Sequence, residues 1–322
     1  MAFTHHTIEL NGQRYAYLDE GEGPLLVFGH GVLADKSMFE AQIEALRDRY
    51  RCVSLDWPGH TGSGYREKGW SFYDMADDSV ALLDQLGYDQ AIFVGLSQGG
   101  MTFMRLALKC PERVRALVLL DTSADPEDAD LLPVHRQQQS RFAHGSEAER
   151  DEVVTRMQKF LYAKPWRDAN PDGVAHEKAL ILAHDRHGIE LALENVFTRD
   201  DISGDISAIS APTLVIVGEL DRATPPDILA LQDAIGARYY PDTFQAKTRT
   251  VNKPSNLLND QSVVITERDL QNRFIRFYAQ RNPGHAKGDG LLLVCPMSLK
   301  NVLHFLLRLI RKKRQSRGRH AG

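Results

Sequence analysis

Gln90-Ala91-Ile92-Phe93-Val94-Gly95-Leu96-Ser97-Gln98-Gly99-Gly100-Met101 is the stretch on which the reading of this chain turns. An apolar run of β-branched and aromatic residues stops at Gly95-Leu96-Ser97-Gln98-Gly99, and good helix formers continue from Met101 to Lys109. This is a Gly-x-Ser-x-Gly pattern between a strand and a helix, a context in which the serine sits on a sharp turn with its hydroxyl lifted clear of the sheet. Gly95 and Gly99 suit such a turn, because it brings neighbouring backbones so close that a Cβ would collide. The bland alternative is an ordinary glycine-rich strand-to-helix turn.

Working outward, Leu25-Leu26-Val27-Phe28 is a continuous apolar run, expected of a strand buried on both faces, and Cys52-Val53-Ser54-Leu55 reads as another buried strand. Amphipathic segments Met38 to Arg49 and Phe72 to Leu86 separate them from the Ser97 strand, and Val114 to Asp121 forms the next strand. Strands and helices in strict succession imply a mostly parallel sheet covered on both faces. At the start of the chain, alternation on either side of Asn11-Gly12 predicts an antiparallel hairpin. From residue 123 to about 210 the strand signal disappears, and helical spacing shows at Glu147 to Leu161, Glu177 to His184 and Ile189 to Phe197. The sheet pattern resumes at Pro212 to Asp221, with a helix from Pro226 to Ile235. The expected architecture is α/β: a core of residues 1–122 and 211–282, a helical lid inserted at 123–210, and a basic tail at 283–322. In an open parallel sheet ligands bind outside the carboxyl ends of the strands. Ser97, Asp221 and the loop at His30 all fall at such ends.

The chain of 322 residues carries a net charge of −4, distributed unevenly. Nine lysines and arginines face one aspartate from residue 286 onward, a local balance of +8 that leaves −12 for the rest. An acidic body does not suggest a nucleic-acid binder. Cys52, Cys110 and Cys295 show neither a disulfide framework nor a metal-ligand spacing, which fits a cytoplasmic protein with reduced thiols. The N-terminus shows no basic region followed by an apolar one, so no secretion signal is expected. The tail contains an apolar helical stripe at Leu299, Val302, Leu303, Leu306, Leu307 and Ile310, then Arg311-Lys312-Lys313-Arg314. It reads either as a surface-lying helix for an anionic membrane or as a disordered extension.

The motifs Gly29-His30-Gly31, Asp56-Trp57-Pro58-Gly59 with Ser63, Gly95 to Gly100, Pro111-Glu112-Arg113-Val114 and Gly218 to Pro225 together resemble the α/β-hydrolase fold superfamily. Within it, the chain is most similar to small capped hydrolases of the 3-oxoadipate enol-lactonase and haloperoxidase-type esterase kind. The resemblance implies Ser97 as a nucleophile, Asp221 as the carboxylate that orients its base, and the backbone amides of Val32 and Gln98 as the oxyanion hole. It implies cleavage of a small carboxylic ester or lactone, without a cofactor. His30 reads as a buttress of its loop by hydrogen bonding, the alternative being action on substrate, and the resemblance gives Asp56 a turn-fixing role. His60 reads as a loop residue, and His176, His184 and His187 read as solvated surface, not a metal site.

The base is the open position. The family places a histidine in a loop before the last helix, which here reads as Val263 to Tyr278; in that loop Lys253 stands where the histidine is expected. Three accounts remain: Lys253 is the base, His285 supplies the imidazole from beyond that helix, or the chain has lost hydrolysis or departs from its ancestral sequence beyond about residue 238. A non-catalytic small-molecule binding protein on a hydrolase fold is therefore the alternative to a serine hydrolase.

Overall fold

The structure, a computed structural model, describes residues 3–217 and the backbone of residues 263–266. The chain begins with β1 (His5–Leu10) and β2 (Gln13–Glu20), an antiparallel hairpin. Its two-residue turn, Asn11-Gly12, has φ of 48° and 76°, the twist that suits a tight hairpin. β3 (Leu25–Gly29) leads to a 3₁₀ turn at Lys36–Phe39 and to α1 (Glu40–Leu46). This segment is helical, as its spacing predicts, but shorter at its end than Met38 to Arg49. Asp35 caps the turn by accepting from the Ser37 amide.

β4 (Arg51–Leu55), α2 (Phe72–Leu86), β5 (Ala91–Leu96), α3 (Gln98–Lys109) and β6 (Val114–Leu120) follow. Five helices then intervene before the sheet resumes: α4 (Leu132–His144), α5 (Glu147–Leu161), α6 (Lys164–Ala169), α7 (Pro171–Ala183) and α8 (Arg186–Phe197). With β7 (Thr213–Val217) and β8 (Val263–Thr266) the described residues form an eight-stranded sheet of order β1-β2-β4-β3-β5-β6-β7-β8. Among the described residues only the β1/β2 and β2/β4 pairings are antiparallel; β3 through β8 run parallel to one another.

The continuous apolar strands are explained by two cores. Val27, Val53, Phe93, Leu117 and Leu119 point to one side, where Phe72 and Met75 of α2 and Phe103 and Met104 of α3 meet them. Leu26, Phe28, Ile92, Val94 and Val118 point to the other, against Phe39, Ile43 and Leu46. Successive residues of a strand alternate faces, so a sheet covered on both sides needs apolar residues at every position. The helical segment has its own small core of Phe142, Val153, Val154, Ile181, Ile189 and Leu193, which closes on Leu33 of the loop after β3.

One sequence expectation is corrected here. Val263 to Thr266 is a strand, not the start of a helix; it pairs Leu214 with Val263 and Ile216 with Ile265. Val263-Val264-Ile265-Thr266 is four β-branched residues in a row, whose restricted χ1 favours a pleated strand. The helical spacing that suggested otherwise rests on Phe274, Ile275 and Phe277, which lie outside the described residues, as does the expected helix from Pro226 to Ile235.

Candidate functional site

Ser97 occupies the single residue between β5 and α3, with φ 46° and ψ −111°. That is the mirror image of extended backbone, a region glycine enters freely and other residues enter at a cost of about 1–3 kcal/mol. The surroundings enforce it. A Cβ on Gly95 would stand 2.4 Å from the Gly99 carbonyl carbon, and one on Gly99 would stand 2.1 Å from the Gly29 carbonyl oxygen. Strand, turn and helix are thus in direct backbone contact, as the glycines predict. From the β6 side, the Ser97 amide donates to the Leu120 carbonyl at 2.9 Å, and Thr122 Oγ1 donates to the Ser97 carbonyl at 2.7 Å. Sequence reasoning does not single out Thr122; its place just past a strand end is the available signal.

The loop after β3 passes over the turn. The Cβ position of Gly31 is 3.5 Å from Ser97 Cβ, which puts Gly31-Val32 beside the serine. Val32 is half-buried, and Gln98 is the first residue of α3, so its amide is one of the four N–H groups a helix leaves unpaired at its positive end. The Gln98 side chain is fully buried, and neither its Oε1 nor its Nε2 has a hydrogen-bond partner among the described residues. Asp221 lies outside the described residues. The strand before it, β7, runs parallel to its neighbour β6, so its carboxyl end lies on the edge that carries Ser97. Asp121 directly ends β6 on that same edge, with φ 39° and its amide donating to the Ile216 carbonyl at 3.0 Å.

Asp56 is fully buried and organises the neighbouring loop. Its Oδ1 accepts from the Lys36 amide at 2.6 Å, and its Oδ2 accepts from Lys36 Nζ at 2.7 Å and the Gly62 amide at 3.1 Å. Ser63 Oγ donates to the Asp56 carbonyl at 2.7 Å. These contacts are those of a turn-fixing residue.

Three histidine rings line up beneath the Gly31–Leu33 loop, with centroids 4.8 Å apart between His30 and His60 and 5.5 Å between His60 and His184. His30 Nδ1 donates to the Gly31 carbonyl at 2.8 Å, and its Nε2 accepts from the Trp57 amide at 3.0 Å. His60 Nδ1 donates to the Pro58 carbonyl at 3.0 Å, and its Nε2 accepts from the Leu33 amide at 3.2 Å. His184 Nε2 donates to the Leu33 carbonyl at 3.0 Å, while its Nδ1 accepts from the Thr61 amide at 3.1 Å. His30 matches its expected buttressing role, and His60, expected as a loop residue, lies in the loop after β4 and holds the Leu33 amide. His184 is a correction: it is 4% exposed, not solvated, because it caps α7 where that helix docks on the core. His176 and His187 are exposed, as expected.

Each ring of this edge-to-face row accepts one bond from an amide and donates one, so all three are held neutral. Burial pushes His30 and His184 below the ordinary 6.5 and His60 well below it. Asp56 and Asp35 oppose the shift at His30 and His184, and Arg150 reinforces it at His184. The unfolded chain takes up these protons near pH 6.5 and the folded chain only further down, so this stability is fully present above pH 6.5 and is lost as pH falls. Each histidine adds up to about 1.4 kcal/mol per pH unit in that window. Denaturant midpoints are expected to fall steadily between about pH 7 and pH 5, and less steeply in His60→Gln; a flat midpoint over that range would contradict the assignment.

A family profile described as the alpha/beta hydrolase fold matches residues 24–244. The 2-(acetamidomethylene)succinate hydrolase of Mesorhizobium japonicum is 36% identical over 103 residues, 32% of this chain and 37% of that protein, so the match spans well under half of that relative. The 3-oxoadipate enol-lactonase 2 of Acinetobacter baylyi is 26% identical over 210 residues, 65% of this chain and 76% of that protein. Among solved structures, a thermophilic esterase from Thermogutta terrifontis superposes with a TM-score of 0.67 at 23% identity, covering 86% of this chain and 98% of its own. That last likeness concerns the fold alone.

Proposed function

The chain belongs to the α/β-hydrolase fold family, and from that premise we propose that it is a serine hydrolase that cleaves a small carboxylic ester or lactone through an acyl-enzyme on Ser97. The observation that carries the reading is the backbone of Ser97, held at φ 46° with the Gly31-Val32 loop against its Cβ. Strain of this kind, kept in place by close backbone contacts, belongs to functional positions. The relatives point the same way, being hydrolases of a lactone and of an acetamidomethylene succinate by name.

In this reading Ser97 Oγ attacks the carbonyl carbon as its proton passes to a base. The oxygen that becomes negative is met by the amides of Val32 and Gln98, each worth on the order of 3 kcal/mol in such a role. The C–O bond to the leaving group then breaks, the leaving oxygen takes the proton, and water releases the acid by the same route. Asp221 orients the base. Residues 1–122 and 211–282 form the hydrolase core, 123–210 a helical lid, and 283–322 a basic tail. Cys52 and Cys110 are free thiols, which suits a reducing, cytoplasmic setting. Among the described residues, no helix is long and apolar enough to cross a membrane. The expected partner is a small molecule and not a nucleic acid.

The ring nitrogens of His30, His60 and His184 are all engaged with backbone, so none of these three is free to act as the base. Lys253 and His285 stay the candidates, and β8 bears on the choice. Its carboxyl end lies on the Ser97 edge, Lys253 precedes it in sequence, and the first histidine after it is His285. No histidine occurs between His187 and His285, and this favours a second reading, a binding protein that keeps the pocket without turnover. A fluorophosphonate probe separates the two. Stoichiometric labelling of the intact chain, mapped by mass spectrometry to Ser97, is expected of the hydrolase; no labelling across pH 6 to 9 would leave the binding reading standing.

A further inference from the structure

The loop proposed to receive the oxyanion is held by two elements distant in sequence, one of them from the helical segment. Leu33 is the point of attachment. Its amide donates to His60 Nε2 at 3.2 Å, and its carbonyl accepts from His184 Nε2 at 3.0 Å. Its φ is 73°, costly for a branched side chain, and it is kept there because the side chain, 2% exposed, is packed among Phe142, Val154, Ile181 and Ile189.

His184 is itself fixed from both sides. Thr61 donates its amide to His184 Nδ1 at 3.1 Å, and Arg150 Nη2 of α5 donates to the His184 carbonyl at 3.0 Å. Close by, the Cβ position of Gly188 at the start of α8 is 2.8 Å from the Gly59 carbonyl oxygen, so helical segment and core touch backbone to backbone at this corner.

We propose that His184 is a positioning residue that couples the seating of the helical segment to the placement of the Val32 amide over Ser97. The inference rests on the reading of Val32 as an oxyanion donor. His184 does not touch the substrate. His60 holds the N–H of the peptide that follows Val32 and His184 holds the carbonyl of the next one, and a hole that is out of place by about 1 Å forfeits on the order of 100-fold in rate. The consequence is regulatory: a conformer in which the α7–α8 corner lifts from the core loses the donor at Leu33 and with it an aligned hole, so only the seated form is competent. Access to Ser97 is then gained without moving that corner.

Two substitutions separate the bonds. His184→Asn keeps an acceptor for Thr61 but falls short of Leu33; His184→Gln reaches the Leu33 carbonyl with its amide nitrogen. Both are compared with the unaltered full chain by hydrogen exchange of the peptide segment 30–38 and by the rate constant for fluorophosphonate labelling of Ser97. The expected result is faster exchange in His184→Asn with labelling slowed about 10- to 100-fold, and both restored to within about threefold in His184→Gln. Unchanged exchange in His184→Asn overturns the coupling, and faster exchange with unchanged labelling overturns its role at the hole. An unlabelled parent chain overturns the serine-hydrolase reading instead, and the exchange measurement then decides the coupling alone.

Discussion

Ser97→Gly is expected to raise the stability of the fold by about 1 kcal/mol while lowering any ester turnover by on the order of 10⁵-fold or more. The two effects have one cause. At φ 46° and ψ −111° a Cβ is unfavourable, and glycine removes that cost, less what it gives back in unfolded-chain entropy. Ser97→Ala is the control, because it removes the nucleophile and keeps the Cβ. It is expected to match the activity loss and leave the melting temperature nearly unmoved. Calorimetry and an ester assay on both variants read the outcome. If glycine and alanine melt together, the turn carries no strain; if either retains turnover, Ser97 is not the nucleophile.

The largest expected loss of stability comes from Asp56→Ala, at about 3–5 kcal/mol. Asp56 is fully buried, and the Lys36 side chain paired with it is 9% exposed. Removing the carboxylate leaves a largely buried ammonium group without its hydrogen-bonded partner, and it also orphans the amides of Lys36 and Gly62. Replacing both partners, as in Lys36→Met with Asp56→Leu, removes the uncompensated charge. Recovery is expected to be partial, because each orphaned amide still costs about 1–3 kcal/mol. Urea midpoints of the two single variants and the double variant test this. A cost below about 1 kcal/mol for Asp56→Ala would show that the pair is solvated in the native state.

The effect extends to the site. Lys36 and Asp56 join the segment after β3 to the segment after β4, and those segments carry Val32 on one side and His60 on the other. The buried pair therefore supports the same loop that the histidines hold from beneath.

The sequence by itself determined the sheet and the turn at its centre. Strands buried on both faces need apolar residues at every position, and Leu25 to Phe28, Ala91 to Val94 and Ala116 to Leu120 show that as uninterrupted runs. Gly95 and Gly99 marked the turn because only a residue without a Cβ fits there. These are local signals, written within a few residues of the feature they produce. Local composition did not show α4: Leu132–His144 is rich in Gln, Arg and His, and it is helical because Phe142 and its neighbours pack against Val153 and Leu193. Nor did it show β8, where spacing further along suggested a helix and pairing with β7 decided for a strand.

The row of three histidines lies furthest beyond a reading of sequence. His184 looked solvated because its neighbours are polar, yet its partners Thr61 and Leu33 lie 123 and 151 positions away. Burial of a polar ring is settled by where its two nitrogens find partners, and only the tertiary structure brings Thr61, Leu33 and α7 to one point. Sequence determined where the serine stands, since a turn is a property of adjacent residues. What holds the loop above it was decided by the fold, since that support is assembled from segments that meet only after folding.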